Sequence, residues 1–102
     1  MKRRYVVAPE AALDLVQIWR YIKKQSNERI ADRVASAIRD QIVFLAGSPG
    51  AGHWRKDLTD VPVKFFPVYS YLIVYRPDTK PLQVAAILQG RRDVAQVLRD
   101  RF

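Results

Sequence analysis

The chain has 102 residues, a net charge of +8 and 49% hydrophobic residues, so one packed domain over residues 1–102 is expected. With no cysteine and one histidine, disulfide frameworks, thiolate zinc sites and thiol nucleophiles are excluded, and neither a metal nor another cofactor is expected. No apolar run approaches the roughly 20 residues that span a bilayer, and the N-terminus lacks a secretory core, which predicts a cytoplasmic protein without a membrane partner.

The positive charge indicates an acidic partner. It is spread over both halves of the chain, and arginine outnumbers lysine. Arginine suits bidentate contacts to phosphate or carboxylate better than lysine does. The partner classes are nucleic acid, the ribosome or an acidic protein, and the alternative is a soluble protein that is merely basic.

Residues 2–8 form a predicted strand, after which Pro9 opens a helix because proline fits the first helical turn. Glu10 and Asp14 complement the positive end of this helix. Its apolar residues form a stripe at helical spacing and a flank beside it. The stripe is Ala12, Leu15, Trp19 and Ile22, and the flank is Leu13, Val16 and Ile18. A face this wide can bury against the body and still leave apolar surface for a partner.

A second helix is predicted over residues 28–46, with alanines that allow close packing against the first helix in a helical hairpin. A glycine-rich turn follows at 47–52. One possible strand, interrupted at 60–62, is expected over 54–59 and 62–68, and two further strands are expected at 69–75 and 82–88. Asp93 is the expected N-cap of a short C-terminal helix. The order β-α-α-β-β-β-α predicts an α+β fold, in which an antiparallel sheet is packed by the N-terminal helical hairpin.

Several chemistry-bearing residues have ordinary structural interpretations. His53 lies in a glycine-rich loop without a partner motif, so a solvated side chain is favoured over a general base. Trp19 is expected in the core. Tyr69, Tyr71 and Tyr75 would share one face of a strand by alternation, which favours sheet packing over a catalytic tyrosine.

Four segments stand out along the chain, namely APEA at 8–11, DLVQIWRYI at 14–22, YLIVYR at 71–76 and GRRD at 90–93. Together they resemble the RelE/ParE superfamily of small bacterial toxins from type II toxin–antitoxin systems. The second segment is similar to a stretch typical of the ParE branch. The resemblance covers nearly the whole chain.

The resemblance implies one of two mechanisms, because RelE-like toxins cut mRNA in the ribosomal A site and ParE-like toxins poison DNA gyrase. RNA cleavage needs cations on the phosphate and a proton donor for the leaving oxygen. Arg92 matches the arginine that follows the last strand. Leu72 and Leu98 stand where the RelE branch has an arginine and a tyrosine, and Gln89 replaces a histidine frequent in the ParE branch.

These departures favour a ParE-like toxin that inhibits DNA gyrase and has no intrinsic catalysis. The residues expected to bind the target are Arg55, Lys56, Arg91 and Arg92. The cognate antitoxin, joined to the toxin in a hetero-oligomer, would use an acidic or amphipathic C-terminal segment. The residues expected to bind it are Leu13, Ile18, Arg20 and Tyr21.

Two alternatives stay open at this point. The first is a ribosome-dependent mRNA interferase of the RelE type, in which Arg92, Lys56 and Lys64 would be catalytic. The second is a degenerate toxin that pairs with its antitoxin and has no toxicity.

Overall fold

A computed structural model describes residues 4–102 of the chain. Its elements are β1 (Tyr5–Val7), α1 (Pro9–Gln25), α2 (Glu28–Gly47), a 3₁₀ turn (Pro49–Ala51), β2 (Lys64–Val68), β3 (Tyr71–Arg76), β4 (Leu82–Gln89) and α3 (Val94–Arg101). The α+β class and the order of helices and strands are confirmed. The first two positions of the predicted strand at 2–8 lie outside the described residues.

The sheet is mixed, and the prediction of a purely antiparallel sheet is wrong. Its strand order is β1-β4-β3-β2. Strands β2, β3 and β4 form an antiparallel meander, whereas β1 runs parallel to β4 from the pair Tyr5 and Leu82 to the pair Val7 and Val84. Alternation in the sequence predicts a strand but carries no information on the direction of its neighbour.

The helical hairpin covers one face of the sheet. Asn27 caps α2, since its side chain accepts a hydrogen bond from the Ile30 N–H (2.9 Å). Ala31 and Ala35 are buried, and alanine lets the two helices approach closely. The main buried members of this hairpin-side core are Ala11, Ile38, Ile42, Leu45, Tyr71, Ile73, Tyr75, Leu82, Val84 and Ile87.

Helix α1 is rotated slightly from the predicted stripe, because Ala11 is buried and Ala12 is exposed. The prediction that Trp19 lies in the core is also not met. Its indole N–H donates to Asp32 Oδ1 (2.7 Å) across the α1–α2 seam, and the Lys23 ammonium lies over the ring. An indole N–H needs a hydrogen-bond acceptor, and at this seam the Asp32 carboxylate supplies one.

The opposite face is covered by α3 and by the loop 54–63, which form a second core. Its members are Val63, Phe65, Val74, Ala86, Leu88, Val94 and Leu98, with Leu58, Val61, Leu72 and Val97 partly buried around them. The predicted strand at 54–59 is wrong, since Leu58 and Thr59 both donate backbone hydrogen bonds to the Arg55 carbonyl in a turn.

The glycine-rich turn is joined to β3 through Tyr75. The buried Tyr75 hydroxyl donates to the Pro49 carbonyl (2.7 Å) and accepts the Gly52 N–H (2.9 Å). A Cβ atom at position 52 would overlap that hydroxyl. Burial raises the pKa of Tyr75 above its ordinary value. Glycine is therefore required at position 52 by close approach.

The three tyrosines do not share one strand. Tyr71 and Tyr75 face the helical hairpin, as expected for sheet packing. Tyr69 instead lies in the β2–β3 turn with a positive φ of 55° and is exposed. The two-residue turn needs a left-handed conformation at this point, which displaces Tyr69 from the strand.

Candidate functional site

More than half of β4 has no strand neighbour on its outer edge. Strand β1 covers β4 only from Leu82 to Val84, and its last contact is the Ala8 N–H to the Val84 carbonyl (2.9 Å). A bulge then follows, because Tyr75 pairs with Val84 and Val74 with Ala86. The remainder of β4 runs on as an open edge, which is a template for pairing with another chain.

Asp14 of α1 satisfies this open edge at one position. Its Oδ2 accepts the Ile87 N–H at 3.0 Å. The carboxylate thus occupies the place that the carbonyl of a neighbouring strand would take. A buried backbone donor left unpaired costs about 1–3 kcal/mol, so this contact stabilises the edge.

Arg101 of α3 holds the same carboxylate. Its guanidinium donates to both oxygens of Asp14, at 2.6 and 2.9 Å, and its Nε lies 3.2 Å from Glu10 Oε2. The Arg101 and Asp14 side chains are only 17% and 11% exposed. The hydrogen bond to Asp14 is the main cause that raises the pKa of Arg101. Asp14 therefore ties α1, β4 and α3 together.

A cleft of about 360 Å³ opens beside this tie, between α1, the free edge of β4 and α3. We call it the β4 cleft. It is lined by Asp14, Gln17, Ile18, Tyr21, Tyr71, Ile87, Leu88, Gln89, Arg92, Val97 and Arg101. Burial, with the neighbouring Tyr21 as a smaller cause, raises the pKa of Tyr71. Within residues 4–102, no carboxylate lies in ion-pair distance of Arg92, so the cleft offers a cation to an incoming acidic group.

A second groove, of about 320 Å³, lies on the other side of α1. It is lined by Tyr5, Val7, Ala12, Leu15, Val16, Ala35, Arg39 and Ile42. We call it the apolar groove. Helix α1 is therefore a ridge between a polar cleft and an apolar groove.

The residues predicted to bind an antitoxin all lie on or beside this ridge. Leu13 and Tyr21 are 54% and 57% exposed, and Arg20 is exposed with them. Ile18 is half-buried, packs against the hairpin-side core and lines the β4 cleft. Of the other residues of the cleft, only Arg92 is a predicted binding residue, and the sequence assigns it to the target. For Asp14 the sequence predicts only a role at the helix dipole, because its contact with Arg101 joins positions 87 apart.

The residues predicted to bind the target fall into two groups. Arg91 and Arg92 are exposed in the turn after β4. Arg55 and Lys56 lie in the loop that follows the bridge between His53 and Phe65, toward the other end of the sheet. Arg55 donates two hydrogen bonds to Asp57 (2.9 and 2.8 Å), the main cause that raises its pKa.

The structure does not bring Arg92 together with Lys64. Lys64 begins β2 opposite Tyr75, whereas Arg92 follows Gln89, which lies opposite Tyr71. Lys64 and Gln89 are thus separated along the strands by four residues of β3, about 13 Å, and across the sheet by two strand spacings. Lys56, in turn, lies near Lys64, since both ammonium groups are over the Trp54 ring.

Leu72 and Leu98, by contrast, lie in one cluster. Both belong to the core under α3, where Leu98 is 1% exposed and Leu72 packs against the cluster. The two positions at which the RelE branch carries an arginine and a tyrosine are therefore filled by apolar packing. Within residues 4–102, no group of three His, Cys, Asp or Glu side chains could hold a metal ion, and no helix is long and apolar enough to cross a membrane.

Comparison with known proteins identifies the family. The family model described as the ParE toxin of type II toxin-antitoxin system, parDE, matches residues 5–94. No curated protein matches the chain by sequence. Among solved structures, the chromosomal ParDE TA system from P. aeruginosa is similar in fold, with a TM-score of 0.70 at 21% identity over 83% of this chain and 92% of that chain. Since the family model spans most of the sequence, the chain belongs to the ParE toxin family.

Proposed function

We propose that the protein is a toxin that inhibits DNA gyrase, and with it replication, and that a cognate antitoxin neutralises it. The observation that carries the choice of target is the packing of Leu72 and Leu98 in the core under α3. Two groups that the RelE branch uses on RNA are replaced there by leucines, of which Leu98 is buried and Leu72 is partly buried against the same cluster. Inhibition of gyrase requires binding and no chemistry by the toxin.

The distribution of the basic residues supports the same choice. Metal-independent RNA cleavage needs its cations and proton donor around one phosphate. Arg92 lies at one end of the sheet, and Lys56 and Lys64 lie at the other. Two separated basic groups suit the docking of a large acidic target better than they suit one scissile bond.

The ridge formed by α1 supports an antitoxin site. An amphipathic segment can place apolar side chains on Leu13 and in the apolar groove, and acidic side chains near Arg20. An extended part of the same segment can enter the β4 cleft, where Arg92 offers a charge and the strand edge is open. This arrangement needs both apolar and charged contacts, so salt should weaken the complex only in part.

The target is tested with purified gyrase, relaxed and supercoiled plasmid and the purified toxin. We expect trapped, cleaved DNA to accumulate after detergent treatment, and Arg91→Ala with Arg92→Ala to reduce its amount about tenfold. Arg33→Ala removes an exposed arginine of α2 and serves as the matched control that leaves cleavage unchanged.

Other outcomes would identify the alternatives. If gyrase is unaffected and the toxin cuts mRNA in the ribosomal A site, the protein is an interferase. If neither target is affected and expression does not arrest growth, it is a degenerate toxin that only binds its antitoxin. Either result contradicts the proposal.

A further inference from the structure

Trp54 is exposed to solvent, yet the backbone beside it is hydrogen-bonded to the sheet. Its indole is 51% exposed and belongs to neither core. The preceding residue, His53, exchanges two backbone hydrogen bonds of 2.8 Å with Phe65 of β2. This bridge holds Trp54 beside Lys64 at the outer edge of the sheet. A large apolar ring is thus presented to solvent on a backbone that is hydrogen-bonded to β2.

Two ammonium groups lie over this ring. Lys64 Nζ is 5.0 Å and Lys56 Nζ 5.9 Å from the ring centroid, within the range of cation–π attraction. Lys64 also donates to the Gly50 carbonyl (3.2 Å). Asp57, the nearest carboxylate in the sequence, is held by Arg55. Within residues 4–102, the two lysines have no ion-pair partner. We call Trp54, Lys56 and Lys64 the tryptophan platform.

The other tryptophan of the chain shows what a structural Trp–Lys pair looks like. Lys23 Nζ lies 5.1 Å from the centroid of the Trp19 ring, a similar distance. The Trp19 indole N–H, however, donates to Asp32, which joins α1 to α2 and supplies a local negative charge. The tryptophan platform has two lysines and no such carboxylate. Its charge is left for an external anion.

We propose that the tryptophan platform binds single-stranded nucleic acid. A base would stack on the indole, and the ammonium groups of Lys56 and Lys64 would move from over the ring to the flanking phosphates. Aromatic rings beside cations are the usual components of single-strand sites. An acidic peptide would pair with the lysines but offers no flat group to cover the ring. Stacking on an aromatic ring does not distinguish one base from another, so binding should be tolerant of sequence. The inference goes beyond the proposed function, because it requires neither gyrase nor an antitoxin.

The test uses the full chain in a Trp19→Phe background, so that fluorescence reports Trp54 alone. An oligothymidylate of about 12 nucleotides, a length within the range of known single-strand sites, is titrated at low salt. We expect saturable quenching. Trp54→Ala, followed by fluorescence anisotropy of a labelled oligonucleotide, should weaken binding about tenfold, whereas Trp54→Phe should retain most of it.

The lysines are tested through the dependence of affinity on salt. Lys56→Ala and Lys64→Ala should each reduce the slope of log K against log salt by about 0.7, the value for one phosphate contact with a single strand. Lys24→Ala, an exposed lysine at the end of α1, is the matched control and should leave Trp54 quenching unchanged.

Three results would overturn the inference. Absence of quenching would show that no base stacks on Trp54. Equal weakening by Lys24→Ala would show that only the net charge of the protein attracts the oligonucleotide. Equal binding of a polyglutamate peptide, with the same dependence on Trp54, would identify an acidic protein surface as the ligand.

Discussion

The two faces of the sheet are covered in different ways. One face lies under α1 and α2, two long helices whose buried alanine, isoleucine and leucine residues form a thick apolar layer. The other lies under the eight-residue α3 and the irregular loop 54–63. Helix α3 begins at the Asp93 cap, whose side chain accepts from the Gln96 N–H (3.1 Å), and ends at the Arg101–Asp14 pair.

This difference indicates which part of the molecule can open locally while the rest stays folded. The hairpin face is stabilised by continuous apolar burial, so its loss unfolds the domain. The α3 face has a thinner core and depends in addition on directional polar contacts at both ends of one short helix. Elements of that kind open locally at lower free energy than the core does. The β4 cleft lies at this boundary, where α3 meets α1.

Equal apolar truncations on the two faces should have unequal effects. Ile38 and Leu98 are both buried, at 0% and 1% exposure. Ile38→Ala should lower the free energy of unfolding by about 4 kcal/mol, within the range for buried isoleucine. Leu98→Ala should cost about 2 kcal/mol, because α3 can detach instead of leaving a cavity. Urea unfolding measures both, with the exposed Val43→Ala as control. Equal losses would contradict the distinction between the faces.

Removal of the tie between α1 and α3 should have the next largest effect. Asp14→Ala leaves the partly buried Arg101 charge without its bidentate partner and the Ile87 N–H without an acceptor. A loss of about 3 kcal/mol is expected, together with faster hydrogen exchange at the Ile87 amide. Glu10→Ala removes a largely exposed partner of the same arginine and should cost less than about 1 kcal/mol. Similar losses for the two variants would show that the tie contributes little.

The joint between the hairpin and β3 offers a matched pair of glycines. A methyl group at Gly52 would overlap the Tyr75 hydroxyl, whereas one at Gly50 would meet no atom within 4 Å. Gly52→Ala should therefore destabilise the domain by about 2 kcal/mol, and Gly50→Ala should change stability by less than about 0.5 kcal/mol. Thermal unfolding of the two variants tests this difference. Equal unfolding midpoints would contradict the close approach of Gly52 to the Tyr75 hydroxyl.

The smallest expected effect is a change of stability with pH that comes from Tyr75, on the hairpin side of the sheet. Because burial raises the pKa of Tyr75, the unfolded chain loses this proton first, near pH 10. Stability from this group is therefore complete below pH 10 and falls as pH rises further, by at most about 1.4 kcal/mol per pH unit. Tyr75→Phe should reduce this alkaline loss, measured by urea unfolding between pH 8 and 11. An unchanged profile in Tyr75→Phe would contradict the assignment.

Sequence reasoning recovers the hairpin face better than the other face for a physical reason. The bounds of α1 and α2 follow from helical spacing, Pro9 and the Asn27 cap, all of which are local signals. The segment 54–59 has strand-like residues, but its conformation depends on packing against α3, which is remote in sequence. The parallel partner of β1 is set in the same nonlocal way.

The same distinction between local and nonlocal signals applies to the residues of the candidate site. The exposed residues Leu13, Arg20 and Tyr21 follow from the periodicity of a single helix. The β4 cleft arises where β1 ends early, β4 bulges and Arg101 reaches Asp14, and none of these contacts has a local sequence signal. Leu72 and Leu98 were noted through family resemblance, but their place in one apolar cluster appears only in three dimensions.

Inhibition of gyrase is tested most directly by a short induction of the protein in bacteria, with thymidine and leucine incorporation followed in parallel. Poisoning of gyrase predicts that thymidine incorporation falls first while leucine incorporation continues. An initial fall in leucine incorporation would contradict it and would place the target on the ribosome.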